Sequence, residues 1–433
     1  MKTAASLEPL KSAAAVAAWT AVALLWLAGG SNYLTRMMLT TMRGSVIEDI
    51  SMTDAQFGLL TSGFLVFYAA ASPFGGFLAD RFSRRRVIIW SIFAWSAITW
   101  ITAYAKSFEH FLILRCLLGL SQALYIPAAV ALIVDYHRGP TRALATGIHL
   151  TGMIVGAVIG GVGGWLAEKH GWRYAYTTIG LPNLALGILL YFFLRDAPRA
   201  YLEKAIDSAQ LKTISLSEAA RSLSKPGAFY YVIACLGVQG AVSWIIIAWM
   251  PTMIKEQFKM GQGAAGFSVL GFLYVAQAIG LLSGGFWSDR LSLRNPRARI
   301  FMPAVAILLT TPLFLLIGWF EHISITLMTL AMWGLAMGFL GSNTMPIVCL
   351  VVDARYRATA IGVLNCFTAI CGSLAIYGVG ALRDANADIS LIFTFATVGV
   401  FLCGLFLWMA NGSVKRTASS RLGHMKGMLN DDV

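Results

Sequence analysis

Two arginines, Arg36 and Arg115, stand inside long apolar stretches near 17–40 and 109–134. A charge held within hydrocarbon is expensive and usually functional. Apart from Glu109, the first residue of the second stretch, no Asp or Glu falls inside either stretch or inside any other apolar run of the chain. Two buried cations without a buried anion leave an uncompensated field. A guanidinium binds a carboxylate through paired hydrogen bonds. These residues therefore predict a binding site for a small anion. The competing reading is that each side chain snorkels to the outer interface. It is weaker for Arg115, which lies deeper and has Gly119 and Gln122 as neighbours.

Polar and aromatic residues at similar depth extend the candidate site. They are Asn32, Tyr33, Gln122, Tyr125, Gln239, Ser243, Tyr274, Gln277, Trp333, Asn365 and Thr368. A ligand cavity needs a few such groups, although any one of them could instead make an interhelical hydrogen bond. For Trp333, lipid-facing packing or interface anchoring is an equal alternative. His149 is the only histidine in the interior of an apolar run, His110 lying at the start of its own. Its ordinary pKa near 6.5 makes it the candidate proton carrier, against a plain reading as a satisfied histidine near the interface. No metal-ligand spacing and no nucleophile–base motif occurs, so neither a metal site, a cofactor nor an enzyme is expected. The six cysteines all fall in apolar runs without a CxxC pair, which reads as small buried residues.

The elements that position these residues follow from composition. Of 433 residues, 58% are hydrophobic and 12% charged, and the mean hydropathy is +0.71. So few charges cannot cover a soluble protein of this length. Twelve apolar runs fall near 17–40, 57–79, 87–105, 109–134, 143–167, 174–194, 227–250, 264–287, 300–319, 324–350, 358–381 and 389–410. Each is roughly 20 residues, enough to cross ~30 Å of hydrocarbon. With the N-terminus inside, the inner loops and tails carry 24 Lys and Arg and the outer loops 7. This bias predicts both termini in the cytoplasm. It also accounts for the net charge of +13 without a nucleic-acid partner. Lys2 and Lys11 before an alanine-rich run resemble a signal peptide, but the apolar run is too long for one and reads as an uncleaved first helix.

The chain contains two copies of one pattern. Gly75-Gly76-Phe77-Leu78-Ala79-Asp80-Arg81 ends the second run, and Gly284-Gly285-Phe286-Trp287-Ser288-Asp289-Arg290 ends the eighth. Arg142 to Gly147 opens the fifth run, and Arg357 to Gly362 opens the eleventh; Asp135 and Asp353 lie just upstream of each. Three matched elements in one order indicate a duplicated six-helix half. The predicted organisation is a tail 1–16, a bundle 17–195, a cytoplasmic linker 196–226 rich in Ser, Lys and Glu, a second bundle 227–410, and a tail 411–433. Thr53 to Gln56 reads as a capping box before the second helix. Pro127 and Pro346 predict bends.

The stretch from Gly76 to Arg86 resembles the loop signature of the major facilitator superfamily, and its echo after the eighth run adds to the match. Ser83 stands where a glycine is usual. A narrower resemblance is to the anion:cation symporter family. It is carried by Asn32-Tyr33-Leu34-Thr35-Arg36, by Arg115 with Gln122 seven residues on, by Gly171-Trp172-Arg173, and by Asn365. Spinster-type lysolipid transporters share the features of the first and fourth runs. In the symporter family Thr35 and Gln122 would be carboxylates, so the proton-carrying acids are replaced here.

The resemblance implies an all-α membrane fold of twelve transmembrane helices in two pseudo-symmetric six-helix bundles. It implies a secondary or facilitative transporter of a small organic anion, a carboxylate or sugar acid, working by alternating access as a monomer in a bacterial-type inner membrane. A Spinster-like carrier of amphipathic anions and a transporter-like sensor are the alternatives. It assigns gating to Asp80, Arg81, Arg84, Arg85, Asp135 and Arg142, with Asp289, Arg290, Asp353 and Arg357 as counterparts. In such proteins the loop aspartate faces the start of a helix in the opposite half, where a carboxylate is favourable. Arg86, Arg294 and Arg299 read as topology alone. Thr35 and Gln122 do not titrate, which predicts uniport or anion exchange, with proton symport through His149 as runner-up.

Overall fold

The computed structural model describes residues 8–137, 141–197, 218, 221, 227–319, 322–353 and 356–431. Among these it is helical without strands. The helices are α1 (Glu8–Met37), α2 (Arg43–Asp49), α3 (Asp54–Arg81), α4 (Arg84–Thr102), α5 (Phe108–Ala123), α6 (Tyr125–Tyr136), α7 (Arg142–Ile159), α8 (Gly161–His170), α9 (Trp172–Phe193), α10 (Gly227–Phe258), α11 (Gln262–Ser292), α12 (Ala298–Trp319), α13 (Ile323–Val351), α14 (Arg357–Asp384) and α15 (Ile389–Asp431). Among the described residues, ten segments are long and apolar enough to span a membrane, with α5–α6 and α7–α8 each counted as one. The long helices α1 and α4 complete twelve. Three arginines open α4 and lower its average hydropathy.

Local chemistry sets the ends and breaks. Thr53 accepts from the Gln56 N–H while the Gln56 side chain accepts from the Thr53 N–H, so the predicted capping box is present. Pro127 cannot donate to the carbonyl four residues back, and the helix breaks at Leu124, between α5 and α6. Pro346 is accommodated inside an unbroken α13. Ser83 caps α4 by accepting from the Arg86 N–H. Two helices outrun the sequence reading: α1 begins at Glu8, within the expected tail, and α15 continues to Asp431. Both flanks are rich in good helix formers such as Ala, Leu, Lys and Met, and water can satisfy a polar helix surface.

The chain divides into two compact units. One comprises Met1–Lys212, Ile247–Gly271 and Ile376–Asp384; the other Thr213–Ile246, Phe272–Ala375 and Ala385–Val433. In the first, α1 crosses α7 on glycine: a Cβ at Gly156 would sit 2.0 Å from the Gly30 carbonyl oxygen. Likewise α3 meets α5 at Gly119, where a Cβ would lie 2.4 Å from the Phe64 carbonyl oxygen. In the second unit α11 crosses α13 in the same way, at Gly280, Gly334 and Gly338. The second and fourth long helices of each half thus share one packing device, which fits the duplication read from sequence. Without a hydrophobic drive between helices in lipid, such close backbone approach is a main source of association. Gly156→Ala must push two backbones apart. It is expected to destabilise the protein by ~1–3 kcal/mol, read as a lower melting temperature in detergent.

Candidate functional site

Three helical stripes meet in the first unit. Asn32, Thr35 and Arg36 share one face of α1 at i, i+3, i+4 spacing; Leu60, Phe64 and Tyr68 share a face of α3; Arg115, Gly119 and Gln122 share a face of α5. The Arg36 guanidinium carbon lies over the rings of Tyr68 (4.4 Å), Tyr33 (4.7 Å) and Phe64 (5.1 Å). Its Nη2 donates to Asn32 Oδ1 at 3.3 Å. The Arg115 guanidinium carbon lies 4.8 Å from the same Phe64 ring. One phenyl group therefore serves both cations. Arg115 Nε donates to the Leu60 carbonyl at 3.3 Å, whereas Nη1 and Nη2 are buried with no hydrogen-bond partner. The residue is 1% exposed.

The polar groups beside the cations are neutral. Gln122 Nε2 donates to Thr35 Oγ1 at 2.8 Å and to the Asn32 carbonyl at 3.3 Å. Thr35 directs its own proton to the carbonyls of Ser31 and Asn32. Tyr176 brings a buried hydroxyl without a hydrogen-bond partner and packs against Phe111 and Trp172.

Tyr125 and His149 form a separate cluster. Tyr125 Oη donates to the Leu25 carbonyl at 2.7 Å, and His149 Nδ1 lies 3.1 Å from the same oxygen. A carbonyl only accepts, so Nδ1 carries the proton and Nε2 keeps a buried, unpartnered lone pair. Leu25 is eleven residues from Arg36, about 16 Å along the helix. The candidate proton carrier is thus fully buried, and lies remote from the arginines.

The remaining candidates belong to the second unit. Ser243 accepts from Gln239 Nε2 (3.0 Å) and from Trp333 Nε1 (3.3 Å). Trp333 is fully buried, edge-on to Phe314, which removes the lipid-facing alternative. Thr368 donates to the carbonyls of Leu236 and Leu364. Tyr274 is buried, Gln277 half-buried and Asn365 exposed.

The signature loop between α3 and α4 is tied within its own half. Arg84 pairs with Asp135 and donates to the Ala131 carbonyl. Arg85 donates to the carbonyls of Leu194 and Tyr191, and Asp196 accepts from Ser83 Oγ and the Arg85 N–H. Arg142 is exposed, as are Arg81 and Arg290, which lie over Phe77 and Phe286. The Asp80 side chain lies outside the described residues. In the second unit Asp289 pairs with Arg299 at 2.7 Å. Arg299, read from sequence as topology alone, is thus the partner of a gating candidate. Asp353 is exposed, and Arg357 donates to the Cys349 carbonyl.

At the start of α3 the first unit carries a charge cluster that the sequence alone does not assemble. Asp54 receives Arg43 Nε and Arg383 Nε, each at 2.8 Å. Glu256 accepts from Arg383 at 2.9 and 3.0 Å and from Arg43 at 3.4 Å. Asp384 accepts the backbone N–H groups of Asp54 and Ala55, at the start of α3. Both arginines lie over Trp249. The backbones touch here too: a Cβ at Gly380 would be 2.4 Å from the Asp54 carbonyl oxygen.

A family model, the Major Facilitator Superfamily, matches residues 25–376. The chain belongs to this superfamily. Among relatives of this major facilitator, a probable sulfoacetate transporter of Cupriavidus necator is 25% identical, covering 87% of this chain and 90% of its own. A hexuronate transporter of Bacillus subtilis is 24% identical over the same shares. Among solved structures, a bacterial homologue of the human lysosomal transporter Spinster, in an inward-facing and unoccupied conformation, superposes with a TM-score of 0.73 at 22% identity. That alignment covers 92% of this chain and 96% of the other. This major facilitator is therefore a multi-pass membrane transporter and not an enzyme. Sequence reasoning missed Phe64, Tyr68 and Tyr176 at its arginines, although the Leu60, Phe64, Tyr68 spacing was visible.

Proposed function

We propose that this chain moves a small organic anion, a carboxylate or sugar acid, across a bacterial-type cytoplasmic membrane by alternating access, with both termini in the cytoplasm. The observation that carries the reading is Arg115: a buried guanidinium whose two terminal nitrogens have no hydrogen-bond partner. Leaving such donors unmade is costly, and a substrate carboxylate would satisfy both in one bidentate contact. Arg36 beside the same Phe64 ring supplies a second anchor. The transport of sulfoacetate and hexuronate named for its relatives supports the anionic class. A thermal-shift screen of the purified protein tests it, since a bound ligand stabilises by mass action. Small carboxylates should raise the melting temperature. A response confined to lysophospholipids would overturn the reading in favour of an amphipathic cargo.

Transport proceeds by uniport or anion exchange. Thr35 and Gln122 hold one another in a neutral hydrogen bond and neither can take up a proton near neutral pH. His149 lies remote from the arginines, its Nδ1 spent on a backbone carbonyl. In liposomes, an imposed inward proton gradient should leave the extent of uptake unchanged, in the native protein and in His149→Gln alike. Strong accumulation that survives the His149 change would refute both uniport and histidine-linked symport.

A further inference from the structure

Resting on that anion site, we infer that the Tyr176 hydroxyl is a specificity-determining contact, which hydrogen-bonds a hydroxyl on the substrate carbon next to the carboxylate. Its position follows from helix register. Phe111 lies in the first turn of α5 and Trp172 opens α9, and their rings stack at 5.3 Å. Two crossings, α5–α6 and α7–α8, separate the start of α5 from the start of α9, so these two helices run parallel. One turn on from the stacked pair, about 6 Å, Arg115 and Tyr176 therefore stand level. The Tyr176 ring sits edge-on to both first-turn rings, 5.8 Å from Phe111 and 5.9 Å from Trp172, which turns it toward α5. Tyr176 and Arg115 lie within electrostatic reach of one another. Both residues are 1% exposed. Arg115 Nη1 and Nη2 and Tyr176 Oη all lack a hydrogen-bond partner. Each such group carries its desolvation cost unrelieved, and one ligand can relieve all three. A carboxylate gripped by Nη1 and Nη2 has both its oxygens on the guanidinium. A phenol beside that guanidinium then meets the next carbon. It can both donate and accept, so it suits a 2-hydroxyl and stays unpaired over a plain alkanoate. A site built to bond a hydroxyl rejects the analogue without one for that reason. The favoured chemistry is that of a 2-hydroxy acid.

The test is a matched binding series on the purified full chain in detergent at neutral pH and constant ionic strength. The two enantiomers of lactate are compared with propionate, and glycerate with 3-hydroxypropionate, by ligand-induced thermal shift. The better lactate enantiomer and glycerate should each bind about tenfold more tightly than the acid without the 2-hydroxyl, the scale of one buried hydrogen bond. Tyr176→Phe removes only the hydroxyl and keeps the ring against Phe111 and Trp172. It should bring each ratio to within about twofold, with propionate held as tightly as before. The melting temperature of the empty variant should be unchanged or raised, since a buried unpaired group is gone. Equal binding within each pair by the native protein would overturn the inference while the anion site stands. A Tyr176→Phe protein that keeps the native ratios would overturn it too. So would one that loses affinity for both members of a pair alike, because the hydroxyl would then serve the carboxylate or the fold. If none of these acids binds the native protein, the anion site itself falls, and this inference with it.

Discussion

Arg115→Ala is expected to abolish anion transport. Losing one partner of a buried charge contact costs ~2–5 kcal/mol of binding, roughly 30- to 4,000-fold in affinity. Arg36→Ala should lose binding on the same scale. The empty protein responds differently. Arg115 is 1% exposed and its Nη1 and Nη2 have no partners, so the native fold bears an unpaid desolvation term at this position. Arg115→Met keeps the volume and deletes the charge. Its melting temperature without ligand should equal or exceed that of the native protein, while the ligand-induced rise disappears. A structural arginine would show the opposite: a lower melting temperature and an unchanged ligand response. Calorimetry or dye-based melting with and without substrate separates the two.

Asp54→Asn should loosen the charge cluster at the start of α3. Asp54 holds Arg43 and Arg383 together, with side chains 13% and 13% exposed for the Asp54–Arg383 pair. Removing one partner of so enclosed a pair costs ~3–5 kcal/mol, enough to invert a conformational equilibrium whose states differ by a few kcal/mol. Hydrogen exchange across 247–258 and 376–384 should quicken. A conformer closed on the outside would lose population, and transport should fall while substrate affinity changes little. The double variant Asp54→Asn with Arg383→Gln should be less impaired than the two single effects combined, because both remove one interaction. Strict additivity would show that the two residues do not act as a pair.

Much of this was legible in the sequence because lipid imposes simple rules. Hydropathy and the Lys/Arg bias mark twelve crossings, and the repeated Gly-Phe-x-x-Asp-Arg pattern marks the duplication. Arg36 and Arg115 stand out because charge is rare in such runs. The aromatic walls did not stand out, since Phe64 and Tyr68 are ordinary residues in an apolar helix until the fold brings them to a guanidinium. The outer cluster was equally hidden. Arg43, Asp54, Glu256 and Arg383 are loop and helix-end charges in four separate segments, and only tertiary packing joins them. Asp54 could be read locally as the first residue after a helix cap, and Arg383 only as one more outside charge. Arg299 was passed over for the same reason.

The neutral Thr35–Gln122 contact bears on which way cargo would flow under the proposed uncoupled transport. A carrier with no titrating group in its site cannot borrow protons to offset the charge it carries. Each elementary charge crossing a membrane polarised by 100 mV is worth ~2.3 kcal/mol, and an anion entering the cell works against it. At an interior-negative potential, equilibrium then holds a free monoanion roughly fiftyfold more concentrated outside than inside. Left to itself such a protein empties the cell of its substrate. Import becomes feasible only as a swap, in which an equally charged anion leaves as the other enters and the voltage drops out of the balance.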